Sequence, residues 1–448
     1  MISEGEFLAR RGNRALRLGY GACPTGEVAL IIRPDALDSP TSVPAAITAA
    51  NLLARWVPSL AVHLPTEDGS LATAIEDAVR SANPFLKVRW GPAGPGRPTL
   101  AIGPGGGEAN EVTVWADGWI AVSARGAGRP ARVEPVTSVL LFAVTLGVGH
   151  VFRDAWRLAH HGAKDMRWNA WLHVAEPDVG DHKRHPLPIE QPQLGRVLQV
   201  GAGAVGSNVI YFLGLMNASA DLVLIDHDVV KIENLDRSLL FGLEHASPNE
   251  MPKVDAAVLA TERYPSLRIN PERSKWAHYA NGSYRVGAFD LSLALANEDD
   301  VWPAMAQAVL PLTLQATTDA EWGVALGVHA PGTGYCLRCR FPPDAQVLPT
   351  ICSEGSIEIE TTGGETETVH ASLPFQSAAA AALIAVEIEK LGLDPIEGAP
   401  NYVEAKLQRP EHLLSLYRRP SPACPTCRDF PEDYWVEKYG SSRFARHR

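Results

Sequence analysis

The stretch Val197-Leu198-Gln199-Val200-Gly201-Ala202-Gly203-Ala204-Val205-Gly206-Ser207 decides the fold. Its first four residues read as a strand, its glycines as a tight turn, and the apolar segment Val209 to Met216 beyond it as a helix. Each glycine has a physical reason in such a turn. Gly201 permits the bend, Gly203 lets a phosphate approach the backbone, and Gly206 lets helix and strand pack closely while the helix N-terminus faces the anion. A second strand, Leu222 to Ile225, ends at Asp226, twenty residues past Gly206, where a carboxylate can accept hydrogen bonds from ribose hydroxyls. A glycine turn alone can be purely structural. Strand, turn, helix and acid in this order predict a Rossmann-like α/β domain with an adenosine-containing ligand.

The residues after that acid separate the nucleotide chemistries. They read Asp226-His227-Asp228-Val229-Val230-Lys231-Ile232-Glu233-Asn234-Leu235-Asp236-Arg237 and, after a further loop, Met251-Pro252-Lys253. This order and spacing resemble the ThiF/MoeB/E1 superfamily, whose members adenylate the C-terminal carboxylate of a ubiquitin-like or sulfur-carrier protein. The resemblance implies that Asp226 holds ribose, with Asp228 beside it in the nucleotide site, and that Asn234, Arg237 and Lys253 contact the ATP phosphates. The chemistry agrees: when a carboxylate attacks the α-phosphorus, charge spreads over the equatorial oxygens and the pyrophosphate, so fixed cations and Mg²⁺ supply most of the stabilisation. A solvated charged loop accounts for any one of these residues but poorly for the ordered set. The family usually places an Asp for Mg²⁺ after the strand Asp290 to Ala296; here Asn297 stands there, followed by Glu298, Asp299 and Asp300. Either a register change brings Glu298 or Asp299 to the metal, or phosphates and water hold most of it. The acid run can also cap the helix near Trp302.

Cysteine spacing gives an independent line. Cys336-Leu-Arg-Cys339 and Cys424-Pro-Thr-Cys427 can close a tetrahedral Cys₄ zinc site, and their wide separation means that the ion joins remote segments of one domain. Disulfides are the alternative; so few cysteines suit a reducing cytoplasm instead. Cys352, in Leu348-Pro-Thr-Ile-Cys352-Ser-Glu-Gly-Ser356, falls where the resemblance places a crossover-loop cysteine, within 341–372, that displaces AMP from the acyl adenylate. An incidental thiol is the alternative there, and the preferred reading of Cys23.

With 448 residues, 46% hydrophobic and 20% charged, the chain is long enough for two or three globular domains. No run of about 18 apolar residues is expected to span a membrane. A net charge of -11 argues against nucleic acid as a partner. A proline-rich linker, 182–192, separates an N-terminal α/β domain, 1–181, from the ThiF-like domain, 193–428; a tail, 429–448, follows. In the first domain, strands Val28 to Arg33, Leu60 to His63 and Thr99 to Ile102 alternate with helices Ser42 to Trp56 and Ser70 to Ser81. Two further strands, Glu111 to Trp115 and Trp119 to Ala124, precede a long helix from about Pro135 to His160. It resembles a degenerate, inactive adenylation domain, so a homodimer or an internal pseudo-dimer is implied; Arg10, Arg11 or Arg14 would then touch ATP, or simply solvate an N-terminal helix.

The whole resembles the E1-like proteins of bacterial ubiquitin-like conjugation operons of the Bil antiphage type. That resemblance implies a cytoplasmic enzyme that captures a ubiquitin-like protein with a C-terminal glycine as a thioester on Cys352 for an E2-like protein. A sulfur-carrier activator for thiamine, molybdenum cofactor or tRNA thiolation is the alternative. An NAD-dependent oxidoreductase shares only the glycine turn, and a non-catalytic scaffold would keep the fold without activity.

Overall fold

The computed structural model describes residues 2–17, 20, 23–65, 69–92, 94–105, 107–108, 111–126, 128, 131–158, 165–175, 186–187, 190–283, 285, 287–296, 301–308, 310, 312–319, 321–342, 356–360, 366–370, 372–391, 393, 400–431 and 437, with backbone only at 11–17, 356–360, 366–370 and 409–411. The N-terminal half runs α1 (Glu4–Arg17), β1 (Val28–Ile32), α2 (Ser42–Ala54), β2 (Leu60–His63), α3 (Gly69–Ala82), β3 (Val88–Trp90), β4 (Thr99–Ile102), β5 (Glu111–Asp117), β6 (Ile120–Arg125), α4 (Thr137–Ala155), β7 (Met166–Asn169) and β8 (Val174–Ala175). The C-terminal half opens with β9 (Gln193–Val200), α5 (Ala204–Leu215), β10 (Ser219–Ile225), α6 (Leu243–Ala246), α7 (Lys253–Thr261), β11 (Leu267–Glu272), α8 (Trp276–Gly282) and β12 (Leu291–Ala294). It continues with α9 (Val301–Gln307), β13 (Leu312–Thr318), β14 (Gly323–His329), α10 (Leu337–Arg340), β15 (Ser356–Glu360), β16 (Thr366–His370), α11 (Pro374–Glu389), β17 (Tyr402–Lys406), β18 (Arg409–Leu416) and α12 (Pro425–Arg428).

Each half builds an eight-stranded sheet, in the order β3-β2-β1-β4-β5-β6-β7-β8 and β11-β10-β9-β12-β13-β14-β17-β18. In both, the first five strands of the order are parallel and the last three are added antiparallel. The two halves therefore repeat one topology. The order reverses between the first and fourth strands of each half, which opens a crevice at the carboxyl ends of those strands.

The halves meet through their apolar helices. α4 packs on α11, which also lies against α5, and α2 lies against α4. Every residue of α11 is buried, and its run Ala378 to Ala382 presents little side chain, which lets neighbouring helices approach. At the seam the Phe152 ring stacks on Trp156 at 4.0 Å and meets Trp56, Phe375 and Trp322 at 5.3, 5.4 and 5.6 Å. Both halves contribute to this cluster, so each completes the other's core.

One helix among the described residues, α4, is long and apolar enough by length and composition alone to cross a membrane. α4 has 19 residues with a mean hydropathy of 1.3, and 94% of that window is buried inside the protein. It also ends earlier than expected, because Arg157 adopts the left-handed region at φ 50°. β7, β8, β17 and β18 are missing from the sequence reading. β7, β8 and β17 are short, and β18, at the sheet edge, carries charge and proline.

Candidate active site

At the carboxyl ends of β9, β10 and β12, an open cleft is walled by Gly201, Gly203, Asp226, His227, Asp228, Lys253, Ser274, Trp276 and Ala296. The glycine turn is held by contacts that allow no side chain at two positions. Gly201 has φ +103°, and a Cβ there would come within 2.5 Å of the Ala296 backbone nitrogen. A Cβ on Gly206 would run into the Gly201 carbonyl. Gln199, wholly buried beneath the turn, donates to the Gly201 and Gly206 carbonyls at 2.9 and 3.0 Å. Gly203 differs. Nothing lies within 4 Å of its Cβ position, so the start of α5 is open to an incoming group.

Asp226 is fixed by the same turn. Its Oδ2 accepts from the Ala202 amide at 2.7 Å and its Oδ1 from the Asp228 amide at 2.8 Å, leaving lone pairs on both oxygens. Lys253 begins α7 and is nearly buried; its Nζ donates to Asp228 Oδ2 at 2.8 Å and lies 3.9 Å from Asp226 Oδ1. Its position is set by backbone, since the Lys253 amide donates to the Asp228 carbonyl and Val229 bridges Pro252. Burial pushes the Asp228 carboxyl up, but the hydrogen bond and charge of Lys253 outweigh it and hold it below the usual range. A cation is thus delivered to the cleft by the same segment that supplies the acids. Ser274 Oγ, in the cleft wall, is buried with no hydrogen-bond partner among the described residues. Open space above Gly203, lone pairs on Asp226, a lysine and an orphaned hydroxyl suit a nucleotide with phosphates.

Asn234 and Arg237 stand outside this lining. The Asn234 side chain accepts from the Lys231 amide at 2.9 Å, and the Arg237 guanidinium donates to the Glu233 carbonyl at 3.0 Å and to Asp236 at 2.7 Å. Arg237 is therefore turned onto its own loop. Arg10 of α1 reaches the same turn, its Nε 2.8 Å from Glu233. Burial raises the Glu233 carboxyl, but the hydrogen bond and charge of Arg10, a backbone hydrogen bond and the charge of Lys231 together leave a net lowering. Asn297, Glu298, Asp299 and Asp300 lie outside the described residues, as do Cys352 and the side chains of Arg11 and Arg14. Among the described residues the one close grouping of metal-capable donors in the cleft is Asp226, His227 and Asp228. The sequence reading missed Ser274 and Trp276, which follow a strand, Leu267 to Glu272, too polar to stand out.

The profile of the ThiF family matches residues 190–426, more than half of the chain. The chain belongs to the ThiF family. Among solved structures, Escherichia coli MccB is similar at 14% identity and a TM-score of 0.39, over 72% of this chain and 96% of that one. A complex of E. coli MccB with selenomethionine MccA gives 16% identity and a TM-score of 0.38, over 52% of this chain and 66% of that one. The E. coli tRNA N6-threonylcarbamoyladenosine dehydratase TcdA, in complex with AMP, gives 14% and 0.28, over 43% and 86%. No curated protein matches the chain in sequence.

Within the ThiF domain, Cys336 and Cys339 at the start of α10 meet Cys424 and Cys427 at the start of α12. The sulfurs of Cys336 and Cys339, Cys336 and Cys424, and Cys339 and Cys427 are each 3.6 Å apart. None is disulfide-bonded. Four thiolates about 2.3 Å from a tetrahedral zinc would stand about 3.8 Å apart, so the set fits that ion with no open position. Such an ion would tie α12 to the end of β14. Nearby, His329 is wholly buried, and that burial drops its pKa to about 3; it contacts the Tyr335 carbonyl through Nδ1 at 3.1 Å. It therefore stays neutral and anchors the turn that carries Cys336. Cys23 is half-buried far from this cluster in sequence, and burial pushes its thiol up.

The ends of the crossover segment are also fixed. β14 finishes opposite Thr313, at the amino edge of the parallel strands, whereas α11 starts with Gln376 donating to the Asp319 and Gly323 carbonyls at the carboxyl edge. Between residues 343 and 371 the described residues are those of the hairpin β15–β16.

Proposed function

We propose that the chain uses Mg-ATP to adenylate the C-terminal glycine of a ubiquitin-like protein and captures it as a thioester on Cys352 for an E2-like protein. The observation that carries the adenylation step is the open space above Gly203 beside Asp226 and Lys253 in one cleft. The glycine turn and the first turn of α5 bind phosphate oxygens, Asp226 takes ribose hydroxyls, and Lys253 exchanges Asp228 for the growing negative charge of the transition state. The substrate carboxylate forms a bond to the α-phosphorus, and the bond from that phosphorus to the bridging oxygen breaks to release pyrophosphate. Arg237 joins by rotating off Asp236, and Asn234 holds the turn from which it does so. Mg²⁺, with Asn297 as its nearest candidate ligand in sequence, would neutralise the phosphates. Cys352 then attacks the acyl carbon as thiolate and AMP leaves.

The test uses the purified chain, Mg-ATP and a candidate ubiquitin-like protein, run on a non-reducing gel. A thiol-sensitive adduct that disappears in Cys352→Ala, while pyrophosphate exchange persists in that variant, supports the scheme. Thiocarboxylate on the carrier instead would replace the thioester step with sulfur transfer.

A further inference from the structure

The loop that carries Arg237, Leu235 to Phe241, makes few backbone hydrogen bonds to any strand, yet five of its backbone groups are held by side chains. Asn208, one turn into α5, accepts from the Leu239 amide at 2.6 Å and donates to the Arg237 carbonyl at 3.0 Å. The other three groups are carbonyls satisfied from the opposite half of the molecule. Arg55, at the end of α2, donates to the carbonyls of Leu235 and, at 3.4 Å, Phe241; Asn51 Nδ2 donates to that of Leu239 at 3.1 Å. Asn51 Oδ1 in turn accepts from Arg55 Nε at 2.9 Å, which locks the guanidinium plane. Asn51 and Arg55 are 3% and 2% exposed, and Leu235, Leu239 and Phe241 are buried as well, so no bulk water substitutes for these donors.

We infer that Asn51 and Arg55 are positioning residues that let the N-terminal half set the place of the phosphate-contacting turn. The argument is geometric. A guanidinium has five donors in a rigid plane, and one such plane spanning two carbonyls six residues apart fixes both ends of the loop between them. Asn208 ties the middle of that loop to the helix that starts at the glycine turn. The distance from Gly203 to Asn234 and Arg237 is therefore set jointly by α5 and by α2. Asp226 and the cleft wall at Ser274 make no such contact with α2, since the Asp226 bonds run to Ala202 and Asp228. The N-terminal half, on this view, acts on the phosphate end of the nucleotide and leaves the nucleoside end alone.

The inference rests on the adenylation reading, and the experiment separates the two. Equilibrium binding of ATP and of adenosine is measured for the full chain and for Arg55→Met and Asn51→Ala, with far-UV and near-UV circular dichroism as the fold control. The expected result is ATP binding at least ~10-fold weaker in either folded variant, with adenosine binding within ~2-fold of the parent. Arg55→Lys, which keeps the charge but cannot span both carbonyls, should behave like Arg55→Met. If Arg55→Met does not fold, Asn51→Ala, which removes the hydrogen bonds to Leu239 and Arg55 and leaves the guanidinium in place, decides by the same criterion. Equal losses for ATP and adenosine, or none for either, overturn the positioning role while leaving adenylation standing. Failure of the unmutated chain to bind ATP overturns both.

Discussion

Gly203 and Gly206 stand three residues apart in one turn, and a methyl group at each meets different surroundings. At Gly206 it strikes the Gly201 carbonyl, so Gly206→Ala should destabilise the protein by ~1–3 kcal/mol, read as a lower melting temperature with or without nucleotide. At Gly203 it meets open space, and the backbone there, φ -69° and ψ -159°, accepts any residue. Gly203→Val should therefore keep the melting temperature of the parent and lose at least ~10-fold in ATP affinity by calorimetric titration. A large drop in stability with intact ATP binding would mean that the turn is structural only. The steric demand at Gly206 was legible in the sequence because glycine spacing reports backbone geometry directly. The state of Arg237 was not. Its spacing matches a phosphate ligand, yet the side chain is satisfied by Glu233 and Asp236, a local competition that no motif records.

Among the elements, α10 and α12 are too short to hold a position by helix propensity, at four residues each. The four sulfurs between them supply what packing does not. Zinc analysis of the purified protein should find about one ion per chain, and Cys424→Ser should lose it and unfold at a lower temperature, as removal of a structural tetrahedral site does. Unchanged stability after metal removal would show that the buried turns suffice. The CxxC pairs announced this cluster from sequence alone, since two thiolates three apart have few other uses in such a chain. By contrast β17 and β18, which carry the chain from α11 back to the second pair, were illegible. β18, Arg-Pro-Glu-His-Leu-Leu-Ser-Leu, mixes charge and proline as the edge strand it is, and β17, Tyr-Val-Glu-Ala-Lys, is only five residues long and carries two charges.

For the whole molecule, the seam between the halves contains a titrating group. Glu389, at the end of α11, is wholly buried, and that burial lifts its carboxyl to about 7, although the Ser138 hydroxyl and amide at the start of α4 donate to it. Below its ordinary value of 4.5 the carboxyl is protonated in both folded and unfolded chains, and the seam keeps its full stability. As pH rises from there through about 7, the unfolded chain gives up the proton first, so folding loses ~3 kcal/mol across that window. Glu389→Gln, which mimics the neutral acid, should melt higher than the parent at pH 8 and equally near pH 4.5. Parallel melting curves at both pH values would remove Glu389 from the seam's energetics. The repeated α/β alternation was readable from strand and helix periodicity in both halves. That the two sheets share one strand order was not, because topology depends on which strands pair and not on how each one reads.

The central claim is that the cleft of the ThiF domain activates a carboxylate with ATP. Exchange of labelled pyrophosphate into ATP, in the presence of a ubiquitin-like protein ending in glycine, tests it most directly. The account predicts exchange that requires the protein substrate and falls at least ~100-fold in Lys253→Ala, the loss expected when a fixed transition-state cation is removed. No exchange together with tight binding of NAD would contradict it.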